Sequence, residues 1–186
     1  MIASTVLLVL SPVLALLIVG VLVTSGPPVF YRGERVGRYG RVFTMRKLRT
    51  LKHSAEERLG GVYGAELTTR TSAETTGLGR FLRASQLDEL PQLWNVLRGD
   101  MSIVGPRPER PHFVAQFKHK IPQYMLRHKV KAGLTGWAQV NGWRGNTPLE
   151  KRIEYDLYYI ENWSVRLDIK IMWLTLIKGF FHKHAY

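Results

Sequence analysis

From Val6 to Val23 the chain reads VLLVLSPVLALLIVGVLV, an apolar run without a single charge, interrupted only by Ser11, Pro12 and Gly20. As a helix rising about 1.5 Å per residue it would reach about 27 Å, close to the hydrocarbon thickness of a bilayer. Such a run suits lipid better than a soluble core. A cleaved signal peptide fits poorly, because no Lys or Arg precedes the run and Thr24-Ser25-Gly26-Pro27-Pro28 makes a poor cleavage site. Two forms remain open on these residues: a spanning helix, and one that bends at Ser11-Pro12 and returns. Pro12 removes a backbone donor, and the Ser11 hydroxyl can serve a freed carbonyl. Arg32, Arg35, Arg38, Arg41, Arg46, Lys47 and Arg49 follow the run, so the positive-inside rule puts the next segment in the cytoplasm.

The rest of the chain is expected to fold as one globule, since hydrophobic residues make up 45% and charged residues 22% of its 186 residues. Its 27 Lys and Arg against 14 Asp and Glu give a net charge of +13, which calls for an anionic partner. Nucleic acid, an anionic leaflet and a phosphorylated substrate all satisfy that demand. The absence of Cys excludes disulfides, thiolate metal cages and a cysteine nucleophile. The six histidines lack the close helical pairing of a zinc hydrolase and read as surface or substrate-side residues.

Between Pro27 and Thr50, turn formers, aromatics and Arg surround a short alternating stretch, Arg41-Val42-Phe43-Thr44-Met45, that suits a strand or hairpin. No basic residue there stands out from a solvated juxtamembrane patch. His53 to Thr76 reads as a helix fragment followed by a loop. There is no Walker motif, and Gly77-Leu78-Gly79 lacks the third glycine of a dinucleotide fingerprint.

The chemistry concentrates in GLGRFLRASQLDELPQLWNVLRGDMSIVGPRPE, residues 77–109. Ser85 suits the N-cap of a helix, with Asp88 three residues on as its capping partner. On a helical wheel Leu87, Leu90, Trp94 and Leu97 share one side and Asp88, Gln92 and Asn95 the other, with Glu89 beside them. Pro91 would disturb the first turns, a local cost that often marks a site. Asp88 and Glu89, flanked by Arg80 and Arg83, could hold Mg²⁺ and attract phosphate. A carboxylate can also attack phosphorus and form an acyl phosphate, which makes Asp88 a candidate nucleophile. Downstream, Ile103-Val104 reads as a short strand, and Gly105-Pro106-Arg107-Pro108 as a rigid bend presenting Arg107 to phosphate oxygens. Near the end, Leu167 to Phe181 reads equally as an interfacial helix and as a core helix.

LDELPQLWNVLRGDMSIVGPRPE resembles the signature of the bacterial sugar transferase family, the monotopic phosphoglycosyl transferases. The resemblance continues through KAGLTGWAQVNGWRG (131–145) and KRIEYDLYYIENWSVRLDIKIMWLTLIKGF (151–180), blocks that look most like undecaprenyl-phosphate glucose phosphotransferases of the colanic acid type. What it implies is an α+β, mainly α-helical fold: a re-entrant membrane helix over residues 1–26 bent at Ser11 and Pro12, then a cytoplasmic catalytic domain over 27–186 with short strands and interfacial amphipathic helices. It also implies Asp88 as nucleophile, Glu89 as its partner acid, Mg²⁺ at that pair, and Arg83 and Arg107 as phosphate binders, with Arg80 and Pro106 beside them. The implied partners are a UDP-sugar, undecaprenyl phosphate and the bacterial inner membrane at its cytoplasmic face, with no nucleic acid. A homodimer would be unsurprising. The chain departs from the family pattern in having no Lys-Arg pair before the apolar run. Two rivals stay in view: direct transfer with Glu89 as base and Asp88 only a metal ligand, and a basic membrane adaptor without enzymatic activity.

Overall fold

The computed structural model describes residues 2–53, 55, 64–145 and 147–179. The apolar run forms helix α1, Ile2–Ser25, which continues through Pro12. Pro12 has no N–H for the carbonyl of Leu8, and the Ser11 hydroxyl donates to that carbonyl instead, at 2.7 Å. Most of the helix surface is apolar and open: Leu8, Leu16 and Val23 are each about three-quarters exposed. Its second half is seated on the domain, where Val21 joins Leu48 and Leu82 in a small core flanked by Leu14, Leu17 and Ile18.

A β-hairpin follows, β1 (Phe30–Val36) pairing antiparallel with β2 (Val42–Leu48), which meets the expectation of a strand around residues 41–45. Helices α2 (Gly64–Glu74) and α3 (Gly77–Ala84) come next. Helix α2 occupies part of the segment that reads as a loop before Thr76, while Ala55 is helical and residues 54 and 56–63, where most of the expected helix fragment falls, lie outside the described residues. After a 3₁₀ turn at Leu87–Glu89 come α4 (Gln92–Leu97), strand β3 (Ser102–Val104) and α5 (Pro111–Lys120). A second 3₁₀ segment, Tyr124–Lys129, leads to β4 (Gly133–Thr135), parallel to β3, and then to α6 (Trp137–Val140), α7 (Leu149–Glu161) and α8 (Val165–Gly179). The mainly helical α+β class holds.

Two further cores complete the packing. Val36, Val114, Tyr124 and Ile153 tie the hairpin end to α5 and α7, and Val104, Val140, Tyr159 and Ile171 tie β3 to α6, α7 and α8. Helix α8 buries Ile171 fully, as a core helix does, while Val165, Ile169, Trp173 and Leu176 are exposed. Residues 180–186, the end of that apolar stretch, lie outside the described residues.

Where the β3 bend meets β4, two backbones touch. A Cβ on Gly133 would lie 2.2 Å from the nitrogen of Gly105, and one on Gly136 would lie 2.3 Å from its carbonyl oxygen. Gly133→Ala is therefore expected to destabilise the fold by about 3 kcal/mol, since backbone cannot yield as a side chain does. A lowered urea midpoint checks this, and an unchanged midpoint contradicts it.

Candidate active site

Residues 85–97 do not form the single helix that their pattern suggests. Ser85 is the C-cap of α3, its hydroxyl donating to the carbonyls of Phe81 and Leu82, so it caps nothing ahead of Asp88. Gln86 then takes a left-handed conformation at φ 58°, which ends α3 and turns the chain into the 3₁₀ turn carrying both acids. Pro91 falls at the start of α4, where its missing N–H costs nothing.

The expected wheel is inverted as a result. Gln92, Leu93 and Asn95 face inward, whereas Trp94 and Leu97 are more than two-fifths exposed. Asn95 has work inside: its amide nitrogen donates to the carbonyl of Thr44 at 2.8 Å, and its side-chain oxygen accepts from the amide of Arg46 at 3.2 Å. It fastens the segment carrying the acids to β2. That strand brings Lys47, unremarked among the basic residues of the sequence, against Glu89, with Nζ 2.6 Å from Oε1.

Arg107 reaches the same oxygen, its Nη2 at 3.0 Å. The bend that carries it is anchored along its backbone. Gly105 donates to Thr135, Pro106 accepts from Gly133, Arg107 accepts from the Arg127 guanidinium at 2.8 Å, and Glu109 accepts from Val36. Arg127 is itself buried in an ion pair with Asp156 at 2.6 Å, and Tyr124 accepts another of its protons. Burial works against the Arg127 charge, but Asp156 outweighs it and holds its pKa above the ordinary arginine value. Neighbouring His128 is buried as well, contrary to the surface reading of the histidines. Burial and the adjacent Arg127 push its pKa down to about 4, so it stays neutral at physiological pH.

The pair Arg127–Asp156 therefore sets the position of Arg107 from behind. Asp156→Asn is expected to cost about 3–5 kcal/mol by leaving a buried guanidinium without its counter-charge. Chemical denaturation checks this, and a loss under about 1 kcal/mol contradicts it.

Asp88 is only 6% exposed. Burial raises its pKa to about 6 and Glu89 pushes the same way, partly opposed by the charges of Lys47, Arg83 and Arg107. Glu89 goes the other way. Burial would raise its pKa too, but the ion pairs with Arg107 and Lys47 win and hold it well below the usual carboxylate range. Two adjacent carboxylates thus have opposite character, one basic and one locked as an anion.

The remaining residues singled out in the sequence are distributed around this pair. Arg83, in the last turn of α3, donates from Nε to the Thr50 hydroxyl at 2.8 Å, and its charge acts on Asp88. Pro106 lines a small cleft with Arg107, Arg127 and His128. Arg80 is exposed on α3 and is not among the largest electrostatic influences on either acid. Among the described residues no group of three or more acidic or histidine side chains is gathered as a protein-only metal cage. Asp88 and Glu89 are the side chains that could hold Mg²⁺, a cation bound through one or two carboxylates together with substrate phosphates.

Comparison with known proteins agrees with the motif blocks. A family model described as bacterial sugar transferase matches residues 1–182. A UDP-glucose:undecaprenyl-phosphate glucose-1-phosphate transferase from Escherichia coli (strain K12) is 46% identical over 188 residues, covering 99% of this chain and 39% of that protein. A UDP-N-acetylgalactosamine-undecaprenyl-phosphate N-acetylgalactosaminephosphotransferase from Aeromonas hydrophila is 39% identical over 89% of this chain and 38% of its own length. A UDP-galactose-lipid carrier transferase from Erwinia amylovora is 36% identical over 94% of this chain and 38% of its own length. The chain spans about two-fifths of the length of these relatives, whose names carry three different sugars. With the family model matching nearly end to end, this chain belongs to the bacterial sugar transferase family.

Proposed function

We propose that this chain is a phosphoglycosyl transferase that moves a hexose 1-phosphate, in our reading glucose 1-phosphate, from a UDP-sugar to undecaprenyl phosphate and releases UMP. The Asp88 carboxylate attacks the phosphorus bonded to the sugar, forming an O–P bond as the phosphoanhydride bond breaks and UMP leaves with the electron pair. A phosphate oxygen of the lipid then attacks that phosphorus and returns Asp88 to its free form. Each step exchanges one activated phosphate for another, so no further energy source is needed. Mg²⁺ at Asp88 and Glu89 would offset charge on the diphosphate when bound. Arg107 and Arg83 supply fixed positive charge for the phosphoryl oxygens, and Lys47 keeps Glu89 from competing as a base.

The opposite pKa shifts of the two acids carry this reading. An Asp raised to about 6 is still largely ionised at neutral pH yet more nucleophilic than an ordinary carboxylate. A Glu clamped by two cations is a poor base, which weighs against direct transfer through a ternary complex. A non-enzymatic adaptor would leave both features without purpose.

The site is proposed to lie at the cytoplasmic face of the bacterial inner membrane. The open apolar surface of α1 supports immersion in lipid, and the Ser11 hydroxyl on the Leu8 carbonyl that Pro12 leaves free supports reading Ser11 and Pro12 as the bend of a re-entrant helix. The exposed Trp94 and Leu97 beside inward polar residues, and the exposed apolar face of α8, suit helices resting at an interface. A screen for UMP release across UDP-sugars, with undecaprenyl phosphate and Mg²⁺ present, tests the function. Release with one or a few UDP-sugars is expected, whereas no release with any of them, alongside salt-sensitive binding to every polyanion, would favour the adaptor.

A further inference from the structure

We infer that Arg49 is a positioning residue that ties the exit of the membrane helix to the charged groups of the active site. Its side chain is 95% inaccessible and lies where α1 hands over to the hairpin. The guanidinium donates to three consecutive carbonyls at and just beyond the helix end: Ser25, Gly26 at 2.6 Å and Pro27 at 3.2 Å. Its own backbone amide donates to Val29 at 2.8 Å, so the turn between α1 and β1 is wound around one residue of the β2 end.

What makes this more than a cap is where the neighbours of Arg49 point. Two residues earlier, Lys47 pairs with Glu89. One residue earlier, Leu48 packs with Val21 of α1 and Leu82 of α3. One residue later, the Thr50 hydroxyl accepts from Arg83, and the Thr50 carbonyl accepts from Thr76 at the start of α3. Four consecutive residues therefore touch the membrane helix, the partner acid of the nucleophile and a phosphate-binding candidate. Arg49 also leaves its Nε buried without a partner among the described residues, a cost that fixing a turn for stability alone would not demand. A shift of the α1 exit would move Lys47 and Arg83 together, and catalysis is sensitive to displacements of that size.

The inference rests on the proposed function, and two measurements on the full chain in nanodiscs test it separately. In wild type, hydrogen exchange should show the amides of Gly26, Arg49 and Thr76 opening as one cooperative unit. A freely exchanging turn beside protected Arg49 and Thr76 amides would overturn the coupling. In Arg49→Lys, which keeps the charge but loses the fork, kcat for UMP release should fall roughly 10- to 100-fold with KM for the UDP-sugar changed less than about threefold. An unchanged kcat per folded molecule would overturn it. A wild-type chain that releases no UMP defeats the proposed function instead, and the exchange measurement still decides the coupling.

Discussion

Asp88→Asn is expected to yield a protein more stable than wild type at neutral pH and without transferase activity. The sign follows from the raised pKa. Below the ordinary Asp value of 3.8 the folded and unfolded chains both hold the proton, and Asp88 costs nothing. As pH rises from there to about 6, the unfolded chain ionises first, and the buried carboxylate progressively weakens the fold. Above about 6 the full cost is present, on the order of 1–3 kcal/mol, and the neutral amide removes it. Urea denaturation with divalent cations chelated should show the gain at pH 7.5 and its disappearance near pH 4. The same amide cannot attack phosphorus, so UMP release should fall at least roughly a thousandfold. A variant that is stabilised and still active would leave Asp88 buried but chemically idle.

Lys47→Met is expected to injure stability and catalysis together. Removing the ammonium leaves Glu89 buried with its ion pair to Arg107 alone to offset the charge, and breaking a buried pair costs about 3–5 kcal/mol. The depressed pKa of Glu89 contributes stability that is present above its ordinary value of 4.5 and is lost as pH falls toward the folded value. The deficit of the variant should therefore be full at neutral pH and shrink in acid. Lys47 is also the largest charge holding the Asp88 pKa down, so its loss should move the acidic limb of the rate profile upward by about 1 pH unit. A variant with wild-type stability and an unmoved acidic limb would exclude Lys47 from the site.

Local chemistry made much of this legible in the sequence. The apolar run, the hairpin, the adjacent acids and the Gly-Pro-Arg-Pro bend each depend on a few neighbouring residues, and the Ser11 hydroxyl serves the carbonyl that Pro12 leaves free. The wheel failed because it assumed a continuous helix, which the left-handed Gln86 interrupts, so that Gln92 and Asn95 turn inward and Trp94 and Leu97 outward. Lys47 was missed although a signal existed. Alternation along β2 puts it on the same face as buried Met45, an unusual place for a lysine without a counter-charge. Arg127 and Asp156 could not be paired by reading, since 29 residues separate them and nothing local links the two.

The central claim is that Asp88 carries the sugar phosphate between donor and acceptor. Incubating the chain with its UDP-sugar and Mg²⁺ but no lipid acceptor, then measuring the intact mass, tests it most directly. The account predicts a species heavier by one sugar phosphate, mapped by peptide sequencing to Asp88, with UMP released in proportion. An unmodified mass, with UMP appearing only once undecaprenyl phosphate is added, would contradict it.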